Sequence, residues 1–232
     1  MTERPKAAIS WSGGKDSCTA LHRTAAEFEI VTALTMFDEA GARSRSHGLT
    51  PQIVGAQTAC LGLHSVTARC TWETYNTAFA EALSSLSGSG ISHVIFGDIM
   101  FDENRTWAER MCAQAGLVAV EPIWGEATDA MLREFIASGG EAIIVTARTP
   151  MLDQSWLGRS LSLDMVEDLG RLGVDPCGER GEYHTLVTNS PLFRSPLRVR
   201  ARGRVLRSDC WALDLELDPT SAPTAEHHAA SR

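Results

Sequence analysis

A chain of 232 residues with 44% apolar residues is long enough to bury the core of one large domain or two small ones, and a net charge of −8 offers no general attraction to nucleic acid. No apolar run approaches the roughly 20 residues of a membrane span, and the polar residues 1–6 lead straight into a first strand, so neither a membrane segment nor a signal peptide is expected and the chain is assigned to the cytoplasm. Six cysteines, at positions 18, 60, 70, 112, 177 and 210, include no C-x-x-C pair, which argues against a zinc ribbon or iron–sulfur site and for reduced thiols.

Strand and helix signals alternate over the first 150 residues, which predicts an α/β fold with a parallel sheet covered by helices. Strands are predicted at residues 7–11, 30–37, 64–68, 93–96, 117–120 and 142–147. An amphipathic helix follows the first strand from about Cys18. Thr50-Pro51 supplies a cap and then proline at the first helical position. Thr71 precedes Trp72, Tyr75, Phe79 and Leu83, spaced as one helical face. Asp102 opens a helix carrying Trp107, Met111 and Cys112; Thr128 opens one carrying Met131, Leu132 and Phe135, ended by Gly139-Gly140. Beyond Leu152 the pattern changes to a helix over 162–172, a glycine-rich charged stretch over 177–182 and a strand over 183–187. Arg198, Arg200, Arg202 and Arg204 alternate with small or apolar residues and predict a strand with one arginine face, a solvated edge that discourages pairing. The domains are therefore drawn as 1–150, 151–218 and a disordered tail over 219–232, which is small, polar and without apolar period.

Three motifs carry chemistry. Ser12-Gly13-Gly14-Lys15-Asp16-Ser17 lies between the first strand and the first helix. Its glycines let the backbone turn and approach a ligand, and the helix start offers N–H groups and a positive dipole end suited to phosphate. Lys15 adds a cation; Lys6 is the chain's only other lysine. The spacing is not that of the Walker loop. The motif resembles the pyrophosphate loop of the ATP pyrophosphatases, which cleave ATP between its α and β phosphates. The bland alternative is a glycine turn capped by Asp16 or Ser17.

The second motif is Phe96-Gly97-Asp98, at the end of the fourth strand. If the strand order is 3-2-1-4-5, the first and fourth strands flank the switch in order, and both motifs face one crevice. Asp98 then holds Mg²⁺ or orients the nucleotide; capping a turn is an equal alternative. The third is Asp175-Pro176-Cys177-Gly178-Glu179-Arg180-Gly181-Glu182-Tyr183-His184-Thr185. Its glutamates can bind metal, position an amine or act as bases, although spacing alone favours an exposed charged turn. Cys177 as a nucleophile is a minor alternative, and His184 reads as structural or substrate-orienting.

These motifs, together with Pro122-Ile123-Trp124, Leu157-Gly158-Arg159 and Pro191-Leu192-Phe193, resemble in identity and order the diphthine–ammonia ligase family, over residues from about 7 to 195. The resemblance implies a HUP-type, Rossmann-like nucleotide domain with a small C-terminal α+β domain. It implies ATP and Mg²⁺, ammonia or an amine donor, and a carboxylate acceptor on a small molecule or protein; a homodimer is compatible with it. Ser12, Gly13, Gly14, Lys15, Asp16, Ser17, Gly97 and Asp98 would hold the nucleotide, Asp98 the metal, and Lys15, Glu179 and Glu182 would be catalytic, the two glutamates in the acceptor or ammonia region. Arg180 and His184 stand where the archaeal and eukaryotic ligases usually have glycine and glutamate, as in the family's bacterial branch. The protein those ligases modify is elongation factor two, which bacteria do not modify this way, so the ATP chemistry carries over and the acceptor does not. The rivals are a tRNA-thiolating enzyme on the same fold, which would need a persulfide cysteine and a basic surface, and an ATP-binding sensor without turnover.

Overall fold

The computed structural model describes residues 3–219. Strands β1 (Lys6–Ser10), β2 (Glu29–Phe37), β3 (His64–Arg69), β4 (His93–Ile95) and β5 (Val118–Val120) form a parallel sheet in the order β3-β2-β1-β4-β5. β1 takes the centre because it is short and apolar on both faces: Ala7, Ala8 and Ile9 are all fully buried. Side-chain alternation divides them. Ala8 packs with Leu34, Phe79, Leu83 and Met111 on one face, whereas Ala7 and Ile9 join Leu21, Ile53 and Val54 on the other. Those faces are covered by α1 (Lys15–Thr24) and α2 (Pro51–Leu61) on the Ile9 side, and by α3 (Tyr75–Gly88) and α4 (Asp102–Gln114) on the Ala8 side.

Local chemistry sets the helix ends. Thr50 accepts a hydrogen bond from the Ile53 N–H, Pro51 fills the first turn, and Gly62 closes α2 at φ 69°. The helical face predicted from Trp72 starts only at Tyr75: Thr71 and Thr74 exchange bonds from each other's backbone N–H to side-chain oxygen, at 2.9 and 3.2 Å, and that turn leaves Trp72 outside α3. α5 (Thr128–Ala137) and α6 (Leu163–Arg171) follow, the latter capped by Ser162 through the Met165 N–H.

The predicted strand at 142–147 exists but is not a sixth parallel strand. As β6 (Glu141–Arg148) it lies inside an antiparallel sheet of order β7-β6-β9-β8, with β7 (Tyr183–Asn189), β8 (Val199–Arg207) and β9 (Cys210–Leu217). An apolar run buried on both faces reads alike in either sheet; its partners, some 40 to 70 positions onward, decide the pairing. β9 was not foreseen, although Leu213 and Leu215 alternate with Asp214 and Glu216 as a half-buried strand does. The arginine-bearing strand is the edge strand β8, exposed along its length, with Arg200 and Arg202 paired to Glu216. Residues 220–232 of the expected tail lie outside the described residues. Among the described residues no helix is long and apolar enough to cross a membrane.

The antiparallel sheet packs on the α1–α2 face, where Ile144, Leu186 and Leu213 share a core with Ile9 and Ile53. Its β7 reaches the turn after β1: the Val187 N–H donates to the Gly13 carbonyl at 2.9 Å. Gln57 of α2, fully buried, completes the joint. Its Nε2 donates to the Gly13 carbonyl at 3.0 Å and the Val187 carbonyl at 2.8 Å, and its Oε1 accepts from Trp11 Nε1 at 3.2 Å. Replacing it strands the Trp11 indole N–H in the core and removes a donor from the Gly13 and Val187 carbonyls. Gln57→Ala is expected to lower unfolding free energy by about 2–4 kcal/mol in urea titrations; a loss below about 0.5 kcal/mol would show that the turn is held without it.

Candidate active site

The order β3-β2-β1-β4-β5 places the turn after β1 and the end of β4 on either side of the strand switch. Gly13 has φ +87°, and a Cβ there would lie 2.5 Å from Leu49 Cδ1 and 2.8 Å from Gln57 Oε1, so conformation and space both demand glycine. α1 starts at Lys15 with Gly14 as its N-cap and no side-chain cap, contrary to the bland alternative of a turn capped by Asp16 or Ser17. The Ser12 hydroxyl accepts from the Gly14 N–H at 3.2 Å and lies 3.1 Å from Ser17 Oγ, while the Lys15 N–H donates to Thr185 Oγ1 of β7 at 3.1 Å. Gly97 allows the end of β4 to approach the helix start: a Cβ there would sit 2.7 Å from the Ser17 nitrogen.

A crevice of about 420 Å³ opens at this point. Ser12, Lys15, Asp16, Ser17, Gly97 and Asp98 line it from the parallel sheet, and Glu179 and His184 from the second half. Phe96, Tyr75 and Trp107 form an aromatic wall, with Tyr75 and Trp107 centroids 5.9 Å apart; such a wall suits a flat heterocycle. Gly13 and Gly14 shape the turn without lining the crevice.

Lys15 is almost fully buried. Its Nζ donates to Asp16 Oδ2 at 2.8 Å and to the Cys177 carbonyl, and stands 5.3 Å above the Tyr183 ring. Burial opposes its charge, but Asp16, with help from Tyr183, Cys177 and Glu179, outweighs burial and holds the ammonium well above the usual lysine value. The carboxyls respond oppositely. Burial, then Asp16, pushes Glu179 up to about 8. Burial also raises Asp98, against a hydrogen bond from Asn104 Nδ2 at 3.1 Å, with Asp16 adding to the rise.

Glu179 and Glu182 face different ways. Glu182 is buried, its Oε2 accepting from the Arg180 N–H at 2.9 Å and its Oε1 from the Asp175 N–H at 3.4 Å. It folds the glycine-rich loop and does not line the crevice. Asp175 fastens the same loop, its Oδ1 accepting from the Cys177 and Glu179 N–H groups at 2.9 and 3.3 Å and its Oδ2 from Thr128 Oγ1 at 2.9 Å. Cys177 donates its thiol to the Thr128 carbonyl at 3.1 Å, and burial pushes its ionisation far up, so a thiolate nucleophile is not supported there. Arg105 makes a surface pair with Glu109 at 3.0 Å and lies over the Trp124 ring.

His47, Asn104 and the aromatic wall were not singled out as site residues from the sequence. The available signal for His47 was position: it follows β2, whose end faces the same crevice as the end of β1. Among the described residues no three His, Cys, Asp or Glu side chains are disposed to hold a metal by themselves. The donor chemistry fits a hard cation held by Asp98 together with phosphate oxygens, the usual mode for Mg²⁺.

A parallel sheet in this strand order, with a glycine turn feeding a helix at the switch, defines a Rossmann-like, doubly wound α/β class. Residues 5–119 match the family model described as the diphthamide synthase N-terminal domain, and residues 127–215 match that of the diphthamide synthase C-terminal domain. The diphthine–ammonia ligase of Rattus norvegicus is 30% identical over 223 residues, 85% of this chain and 84% of that protein. That of Homo sapiens is 27% identical over 254 residues, covering 95% of each. That of Schizosaccharomyces pombe is 27% identical over 209 residues, but this chain spans only 34% of its length. A solved structure titled as a predicted subunit of tRNA methyltransferase from Methanocaldococcus jannaschii superposes on 81% of this chain and 98% of its own, at 14% identity and a TM-score of 0.43, too distant to bear on fold or activity. The chain belongs to the diphthine–ammonia ligase family.

The raised Glu179 makes a pH prediction. The folded chain keeps this proton where the unfolded chain, with an ordinary value of 4.5, has released it, so between pH 4.5 and about 8 its contribution to stability falls as pH rises. Glu179→Gln removes that fall. In urea titrations the variant should therefore gain stability relative to the parent on going from pH 5 to pH 8; parallel curves would contradict the burial of a protonated Glu179.

Proposed function

We propose that this chain uses ATP to activate a carboxylate and then amidates it with ammonia. A carboxylate oxygen attacks the α-phosphorus, the bond to the bridging oxygen breaks and pyrophosphate leaves. Ammonia nitrogen then attacks the acyl carbon, AMP departs, and the nitrogen loses a proton. The observation that carries this reading is the meeting, in one crevice, of the glycine turn with Lys15 and the glutamate loop from the other half of the chain. The family assignment supports the general class, an ATP-dependent amide-forming ligase. The nucleotide half would run through β5, and the antiparallel sheet would supply the acceptor half.

Each residue then has a defined task. The start of α1, presented by the turn that Gly13 and Gly14 shape, receives the phosphates, and Lys15 offsets charge growing on the departing pyrophosphate. Ser12, Asp16 and Ser17 frame the same end, while the Tyr75–Trp107 wall takes the base. Mg²⁺, when held by Asp98 and the phosphates, would lower the charge repulsion that the attacking carboxylate meets. Glu179, raised to about 8, takes the proton released by the amine through its ionised fraction, which grows as pH rises towards 8. Glu182 is a positioning residue that shapes the loop presenting Glu179. The acceptor is a carboxylate on a small molecule or a protein. Thiol transfer through Cys177 is disfavoured by its burial.

The test is incubation with α-labelled ATP, Mg²⁺, ammonium and candidate carboxylates, separating AMP from ADP. AMP and pyrophosphate are expected in equal amounts. ADP as the sole product, or nucleotide left intact with every carboxylate, would overturn the reading. Lys15→Ala should lower AMP formation by about 100-fold or more while remaining folded, and unaltered turnover in that variant would remove Lys15 from the mechanism. Glu182→Gln, keeping the volume but turning an amide towards backbone N–H groups, should hold nucleotide affinity within about threefold and reduce amide formation at least tenfold; normal amidation would refute its positioning role.

A further inference from the structure

His47 and His184 reach the crevice from opposite halves of the chain, His47 from the loop after β2 and His184 from β7. Their rings stack with centroids 4.6 Å apart and planes 23° apart. His47 Nδ1 lies 2.7 Å from the Thr185 carbonyl oxygen, so that nitrogen carries the hydrogen and Nε2 is the titrating position. The His47 ring covers the glycine turn directly: a Cβ on Gly14 would lie 2.1 Å from His47 Cε1. Thr185 joins the pair to the helix start, because its hydroxyl accepts the Lys15 N–H.

Both imidazoles are neutral near pH 7. Burial, then the neighbouring His47 and Lys15, lowers His184 to about 3, with Asp16 opposing and Arg148 assisting. Burial lowers His47 to about 4, against the Thr185 carbonyl and with the help of Lys15. The groups facing the pair are thus Lys15 and Asp16 of α1, Arg148 of β6 and the Thr185 carbonyl of β7, with Glu179 and Asp98 across the crevice, while Arg43, Arg207 and Asp214 share a second cavity with His47. Two neutral rings beside a phosphate turn contribute little to an anion. Polyphosphate entering the turn changes that balance, because an adjacent opposite charge raises a histidine by about 1–3 units.

We propose that His47 and His184 form a proton-accepting anion clamp: when a triphosphate enters the glycine turn, the pair takes one proton from solvent and the resulting imidazolium holds the β and γ phosphates. The inference rests on the nucleotide reading above. Stacking of one neutral ring on one charged ring keeps the second proton off and shares the charge across both halves of the chain.

The test is calorimetric titration with α,β-methylene-ATP and Mg²⁺ between pH 6 and 8, in buffers of differing ionisation enthalpy, which counts protons taken up on binding. The parent protein should take up about 0.1–0.9 proton more than the His47→Gln/His184→Gln double variant at pH 6, the range that a rise of about 1–3 units from about 4 gives. Its affinity should also fall about threefold to tenfold more steeply than the variant's as pH rises to 8. Circular dichroism checks that the variant is folded. A readout that needs no variant is the imidazole ¹⁵N spectrum of the parent, where one ring should move to its imidazolium position on adding the analogue at pH 6. Equal proton uptake in parent and variant, with unmoved imidazole signals, would assign the proton to Glu179 and overturn the clamp. Failure of the parent to bind the analogue would instead overturn the nucleotide reading, and the clamp with it.

Discussion

The Gly13 carbonyl is the atom on which the two halves of this molecule depend. It accepts from the Val187 N–H of β7 at 2.9 Å and from Gln57 Nε2 at 3.0 Å. The turn is produced by the parallel sheet, but its conformation is maintained by the antiparallel one. Gly13 sits in a left-handed conformation with no room for a side chain, so the backbone cannot relax by small rotations once those donors are in place. The next tie is of the same kind, from the Lys15 N–H to Thr185 of β7. A change in the register of β7 against β6 would therefore be felt at the helix start.

The same joint shapes the electrostatics. Lys15 is a buried cation directed onto Asp16 and the Cys177 carbonyl, which belongs to the glutamate loop. A buried ammonium is tolerable only with such partners, and any ligand that draws Lys15 away must replace them. Around it the carboxyls of Glu179 and Asp98 are held up, and the imidazoles of His47 and His184 are held down. The crevice thus contains few fixed charges and several groups near a change of state. A chain of net charge −8 offers no general attraction to a polyanion.

The glycine-rich loop illustrates how little spacing says about role. Glu179 and Glu182 are chemically alike and three positions apart, yet one faces the crevice and the other binds backbone N–H groups of its own loop. Outside a helix or strand there is no period from which to infer direction. Asp175, the first residue of the motif, fastens the loop through three hydrogen bonds.

By itself, the amino-acid sequence was sufficient for the elements of the parallel sheet, the position of the glycine turn and the family. These rest on local interactions: apolar periodicity, caps, and a strand–glycine–helix succession contained in a few consecutive positions. Tertiary structure alone decided that residues 141–148 leave the parallel sheet, that β9 completes the second one, that Gln57 clamps the turn and that His47 meets His184. Each of those joins residues dozens of positions apart through a partner that no local pattern names. Their geometry exists only once the two sheets have packed, because the hydrogen bonds and stacking that define them are made across that packing.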